Sequence, residues 1–275
     1  MSLDWQIFCK STTGAAQLAG CFGHGGESSY LQWLLSAWGW TAAVALCGFL
    51  LALAAGIAIG AMRTLGAVGA AGTRVAPRAA DTQRITRIVR ILNGPNLCAA
   101  FAVAWTELFR NIPLLVQVFL WYHVLPYFLP ALKSVPAWLL ASAALGLFTS
   151  ARIAEQVRAA LQALPRGQLQ AAQALGMRTL QAYRLVLLPV ALRQMIPTLT
   201  SEAMNSVKNS SVAFAVGIAE LTQFALQAQE ETAHGIEVYL AVTVLYAATA
   251  LAVNRILAMV EARARVPGTF VAEAG

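Results

Sequence analysis

Residues 28–62 read SSYLQWLLSAWGWTAAVALCGFLLALAAGIAIGAM, without a single Asp, Glu, Lys or Arg. Those 35 residues would measure about 52 Å as a helix, whereas a bilayer core needs only about 20 residues. Across all 275 residues, 59% are apolar and 11% are charged, against about 25% charged in ordinary soluble domains. A chain so poor in charge, with its charges expelled from long segments, is an all-α integral membrane protein. Ala52, Ala54, Ala55, Gly56, Ala58 and Gly60 crowd the second half of the stretch. Small residues there let a neighbouring helix approach closely, since packing drives association in lipid.

Working outward, uncharged sequence resumes from Ile91 to Leu132, interrupted only by Glu107 and Arg110. That is too long for one straight crossing, so one span is predicted over residues 97–126, kinked near Pro113. With further spans over 34–62, 135–151, 194–219 and 237–257, about five transmembrane helices are expected. Residues 1–33 form an N-terminal segment and 34–258 the membrane domain. Within that domain lie a basic linker at 64–96 and a charged, amphipathic loop at 159–193. Residues 220–237 read as an exterior connection, and 259–275 as a tail.

The net charge of +7 raises the question of nucleic acid, and the placement of the cations answers it. Fifteen of the 19 Lys and Arg residues fall in three groups, Arg63–Arg90, Arg152–Arg193 and Arg255–Arg265. Lys10 and Lys133 flank the opposite ends of the apolar segments, and Arg110 and Lys208 lie inside them. Alternation by loop is the positive-inside pattern; it predicts the N-terminus outside and the C-terminus in the cytoplasm. A nucleic-acid surface would not partition this way. In the linker, Ile85, Ile88, Val89 and Leu92 share a helical face while Arg84, Arg87 and Arg90 interleave, which predicts a basic helix lying on anionic headgroups. The four cysteines and three histidines show no metal-ligand spacing. Cys9 and Cys21 share the non-cytoplasmic side and read as two separate thiols, with a disulfide between them the alternative.

Polar residues inside apolar sequence are costly and usually face a bundle interior or a wet cavity. Glu107, Arg110 and Asn111 stand at i, i+3 and i+4, on one helix face. Asn205, Lys208 and Asn209 repeat that spacing, with Glu202 one turn earlier and Ser210 just after. These eight are the candidate substrate pathway. The alternative is structural: Glu107 pairs with Arg110, and the asparagines bond neighbouring helices.

The loop between the third and fourth spans carries the most information. It reads Gln170-Ala171-Ala172, three residues, Gly176, nine residues, then Val186-Leu187-Leu188-Pro189. Pro165 suits a helix start and Gly176 a break, so two short helices are expected. This pattern resembles the EAA loop of ABC importer permeases, with Gln170 in place of the usual Glu and Val186 in place of Ile. The stretches 106–117, 150–158 and 164–168 and Lys208-Asn209-Ser210-Ser211 are similar to signatures of the polar amino-acid permeases. Met1–Trp5, Phe119–Tyr122, Thr200–Glu202 and Val260–Arg263 look closest to its glutamate/aspartate branch.

The resemblance implies a type I ABC importer permease fold in a bacterial inner membrane. It implies that Gln170, Ala171, Ala172, Gly176, Val186, Leu188 and Pro189 form the ATPase-coupling element. It further implies two ATP-binding subunits, a second, related permease subunit in a heterodimer (a homodimer being the alternative), a periplasmic solute-binding protein and a polar, acidic amino acid as substrate. No cofactor is expected on this chain: a P-loop needs a Gly-Lys pair, none occurs, and ATP is used by the partner. The other function class is an ion-coupled carrier with Glu107 and Glu202 as proton relays, which has no use for the loop at 170–189.

Overall fold

The computed structural model describes residues 3–13, 21–22, 28–71 and 97–264, without the side chains of 65–71, 166 and 264. Residues 72–96, with the amphipathic segment expected at 84–92, lie outside that set, as does the tail from 265. Helix α1 is Tyr30–Ala71, α2 Leu97–Asn111, α3 Leu114–Phe128 and α4 Ala137–Ala163. The short helices α5, Arg166–Ala174, α6, Thr179–Ala182, and α7, Leu188–Gln194, follow. Then come α8, Ile196–Asn209, α9, Leu221–Thr232, and α10, Gly235–Ala264. Among the described residues, three helices, α1, α4 and α10, are long and apolar enough to cross a bilayer alone; the number reaches five if each of two bent pairs is one span.

Those bent pairs refine the expected spans. Pro113 lacks an N–H and restrains the residue before it. The helix accordingly stops at Asn111 and restarts at Leu114, with Pro113 extended at ψ 139°; this is a break and not a kink. The second pair joins α8, extended by a 3₁₀ segment Ser210–Val216, to α9 through Gly217 at φ +75°. Residues 220–237, read as an exterior connection, hold the helix α9. The third span was expected to end near Ala151, where charge begins, yet α4 runs on to Ala163. Nothing between those residues breaks a helix: the run is Ala, Leu, Gln, Glu and Arg with two β-branched residues, all tolerated or favoured, and Pro165 follows only afterwards.

The chain divides into two compact units. The first comprises Met1–Leu51, Pro113–Gly146 and Ala203–Val253. In it a 3₁₀ turn, Trp5–Cys9, buries Ile7 and Phe8 among Tyr30, Leu34, Leu221, Phe224 and Val238. The Asp4 amide donates to Glu237 at 2.8 Å and the Tyr30 hydroxyl to Glu231 at 2.7 Å. Cys9 and Cys21 form a disulfide, correcting the expectation of separate thiols. The reason is the chain's return: Ser11 pairs with Ser29 in an antiparallel bridge, and the Thr12 amide donates to the Ser28 carbonyl at 2.9 Å. Glu220, fully buried, caps α9 by accepting from the Thr222 and Gln223 amides, and accepts from the Tyr246 hydroxyl at 2.7 Å.

The second unit comprises Ala52–Ile112, Leu147–Glu202 and Asn254–Gly275. Here α1 lies against α4 at glycines. A Cβ added at Gly56 would stand 2.6 Å from the Ile153 Cβ, and one at Gly60 2.6 Å from the Val157 Cβ. Ile59, Ala102 and Ala154 form a small core with Trp105 against it. The Trp105 indole donates to the Ser150 hydroxyl at 3.1 Å.

Candidate functional site

The loop between α4 and α8 is built as two helices around a glycine. Helix α5 ends with the Gly176 amide donating to the Gln173 carbonyl at 2.9 Å and the Met177 amide to the Ala172 carbonyl at 3.1 Å. Gly176 sits at φ +80°. That pair of bonds around a left-handed glycine is the Schellman termination, which satisfies carbonyls a helix end leaves bare. Helix α6 then starts with the Arg178 amide capped by the Gln181 side chain at 2.9 Å. A π-helical turn, Tyr183–Leu187, leads into α7. Such turns recur at functional sites. Burial pushes the Tyr183 phenol above its usual range, so that it stays neutral.

Of the expected coupling residues, Gln170, Ala171, Gly176 and Pro189 are exposed, Val186 and Leu188 are half-buried, and Ala172 is buried against the protein. Beside them the loop exposes Leu175, Leu180 and Leu185, at 81%, 63% and 63%. All three stand bare on a charged segment. Sequence reading passed over them, because a leucine in an amphipathic helix is taken to face inward.

The candidate pathway residues fall in different units. In the second unit, Arg110 reaches both Glu107 oxygens at 3.1 and 3.2 Å, and Asn111 donates to the Glu107 carbonyl at 2.6 Å. Arg110 also lies 3.7 Å from Glu155, a carboxylate shared with other arginines, so its counter-charge is Glu107. Glu202, 4% exposed, accepts from Arg152 and Gln156 of α4. In the first unit, Asn205 and Asn209 are half-buried, and Ser210 is buried and donates to the Val207 carbonyl at 2.7 Å. Lys208 is exposed and, among the described residues, enters none of the ion pairs.

The residues that sequence reading left without a role are Arg63, Arg152, Glu155, Gln156 and Arg158. Glu155 pairs with Arg63 of α1 and with Arg158, 2.7 Å away. The signal was present in the quoted stretch 150–158, whose charges continue an unbroken helix.

Residues 96–266, more than half of the chain, match a family described as "binding-protein-dependent transport system inner membrane component". The chain belongs to that family: it is an inner-membrane permease of an ABC importer for amino acids, with the all-helical type I fold. It is 36% identical over 98% of its length, and 99% of the relative's, to the glutamate/aspartate import permease protein GltJ of Escherichia coli K12. It is 35% identical over 58% of its length, and 71% of the relative's, to the probable amino-acid ABC transporter permease PatM of Vibrio harveyi. Among solved structures, an amino acid ABC transporter with histidines superposes with a TM-score of 0.65 at 26% identity, covering 85% of this chain and 95% of that one. The methionine ABC transporter MetNI superposes with a TM-score of 0.65 at 20% identity, covering 86% and 98%, a likeness of fold. Family membership sets aside the ion-coupled carrier.

Proposed function

We propose that this chain carries an acidic amino acid, glutamate or aspartate, across the inner membrane, with ATP hydrolysed by partner subunits docked on residues 165–189. The observation that carries the reading is the loop: a Gly176-terminated helix pair presenting Leu175, Leu180 and Leu185 to solvent. Two ATP-binding subunits each grip one such loop, the second supplied by a related permease in a heterodimer. A periplasmic binding protein delivers the substrate. ATP-driven closure moves the loops, and the spans alternate between outward and inward access. The chain itself hydrolyses nothing.

Charge supports the substrate class. An acidic amino acid has a net charge of −1, and a low-dielectric path for it needs fixed positive charge. With Arg110 offset by Glu107, Lys208 is the pathway cation left to meet a carboxylate, as a mobile point charge. Asn205 and Asn209 serve the ammonium and the other carboxylate. The N-terminus is periplasmic in this reading: the cation distribution supports it, and a Cys9–Cys21 disulfide suits an oxidising compartment.

The test is uptake by the full importer in proteoliposomes, with ATP inside and radiolabelled amino acids outside. Glutamate and aspartate should accumulate, and unlabelled lysine or leucine should not compete. Accumulation of a neutral or basic amino acid instead would overturn the substrate assignment.

A further inference from the structure

Arg152 and Gln156 stand at i and i+4 on α4, on one helix face. Both reach the same Glu202 oxygen on α8, from Nε at 3.2 Å, Nη2 at 3.0 Å and the Gln156 amide at 2.9 Å. The carboxylate is 4% exposed, and burial on that scale is tolerated only when the charge is met and hydrogen-bonded. The position in the chain gives the contact its meaning. Helix α4 ends at Ala163 and α8 begins at Ile196, and all that lies between is the coupling loop. The three side chains therefore join the two helices from which that loop hangs. Apolar contacts at a helix pair are non-directional and permit sliding. Three converging hydrogen bonds on a buried oxygen have one geometry and resist it. On the neighbouring turns of α4, Glu155 holds Arg63 of α1 and approaches Arg110 of α2.

We propose that Arg152, Gln156 and Glu202 are positioning residues for energy coupling: a clasp that makes α4, α8 and the loop between them move as one piece. A displacement imposed on the loop then reaches α8 instead of being absorbed by slack at its base. Glu202 acts here by holding α8 and not by touching substrate. The proposal rests on the reading that this loop docks an ATP-binding subunit.

The experiment uses the full importer in proteoliposomes and reads amino acid moved per ATP hydrolysed, together with retention of the ATP-binding subunits on purification. Glu202→Gln keeps the shape and removes the charge; Arg152→Met removes the fork; Arg152→Lys keeps the charge. Glu202→Gln and Arg152→Met should retain the subunits and hydrolyse ATP within about two-fold of wild type, while transport per ATP falls about ten-fold, with Arg152→Lys intermediate. A merely structural role would lower hydrolysis and transport together, and that result, or an unchanged ratio, overturns the clasp. If the charge variants do not assemble, Gln156→Leu decides: it removes one neutral bond and should lower the ratio about two-fold, and no change overturns the proposal. Gly176→Pro is run beside them. An uncoupled Gly176→Pro with a normal Glu202→Gln refutes the clasp alone; a normal Gly176→Pro refutes the docking loop, and the clasp with it.

Discussion

At the scale of single residues, charge and backbone conformation make two separable predictions. Lys208 is exposed and unpaired among the described residues, whereas Arg110 is bound by Glu107 and Glu155. Lys208→Met should therefore lower glutamate and aspartate uptake at least ten-fold (about 1.4 kcal/mol) without reducing the amount of assembled complex. Arg110→Met should act mainly on assembly, because it removes the cation that pairs with Glu107 and links it to the Glu155 cluster. Uptake normalised to purified complex separates the two. At Gly176 a side chain would meet open space, so only the left-handed backbone matters. Asn visits that region readily, Ala pays about 1–2 kcal/mol, and Pro cannot enter it. Transport per ATP is expected to rank Gly, Asn, Ala, Pro at position 176; a tolerated Pro would refute the role assigned to the turn.

Helix pairs respond to a different quantity, the distance between axes. Where α1 meets α4, an added methyl at Gly56 or Gly60 lies within 2.9 Å of a backbone carbonyl, Ser150 or Ala154. Neither helix can yield there as a flexible side chain would. Gly56→Ala and Gly60→Ala should each destabilise the detergent-solubilised protein by about 1–3 kcal/mol, seen as a lower melting temperature by fluorescence-detected size exclusion. Gly39→Ala on the same helix meets nothing within 4 Å and should leave that temperature unchanged. The contrast distinguishes close packing from helix propensity, which would favour Ala at all three positions. Helix α4 is the central element by burial: 61% of its most apolar window is covered, against 17% for α10. The uncovered face of α10, with Leu240, Val244 and Leu251 exposed, is the one that suits lipid.

For the whole molecule, topology is the testable quantity. If the N-terminus is periplasmic, as proposed, the Cys9–Cys21 bond should be invisible to a membrane-impermeant maleimide in intact cells. It should become labelled after a membrane-impermeant reductant, while Cys47 and Cys98 stay unlabelled. Breaking the bond by Cys9→Ser should loosen the docked turn Trp5–Cys9 by about 2–3 kcal/mol, the scale for a loop this short. Proteolysis near residue 13 in spheroplasts reads that loosening. Labelling only after permeabilisation would reverse the assigned orientation.

The family, the membrane class and the helix–glycine–helix form of the loop at 165–189 were legible in the sequence, because each rests on local chemistry. An uncharged run longer than a bilayer, cations alternating by loop, and a glycine at a fixed distance from Gln170 and Pro189 need no tertiary contact to be read. Helix ends were less legible: charge begins at Arg152, but a helix stops for backbone reasons, and none arises before Pro165. What only the tertiary structure decided was which charges meet. Spacing along one helix proposes Glu107 with Arg110 and says nothing of Glu155 with Arg63, 92 residues away, or of Arg152 with Glu202, 50 residues away. The Cys9–Cys21 bond likewise waited on a return of the chain from Ser11 to Ser29. A pairing across the fold depends on where two helices are brought, and that is set by the packing of all their faces at once.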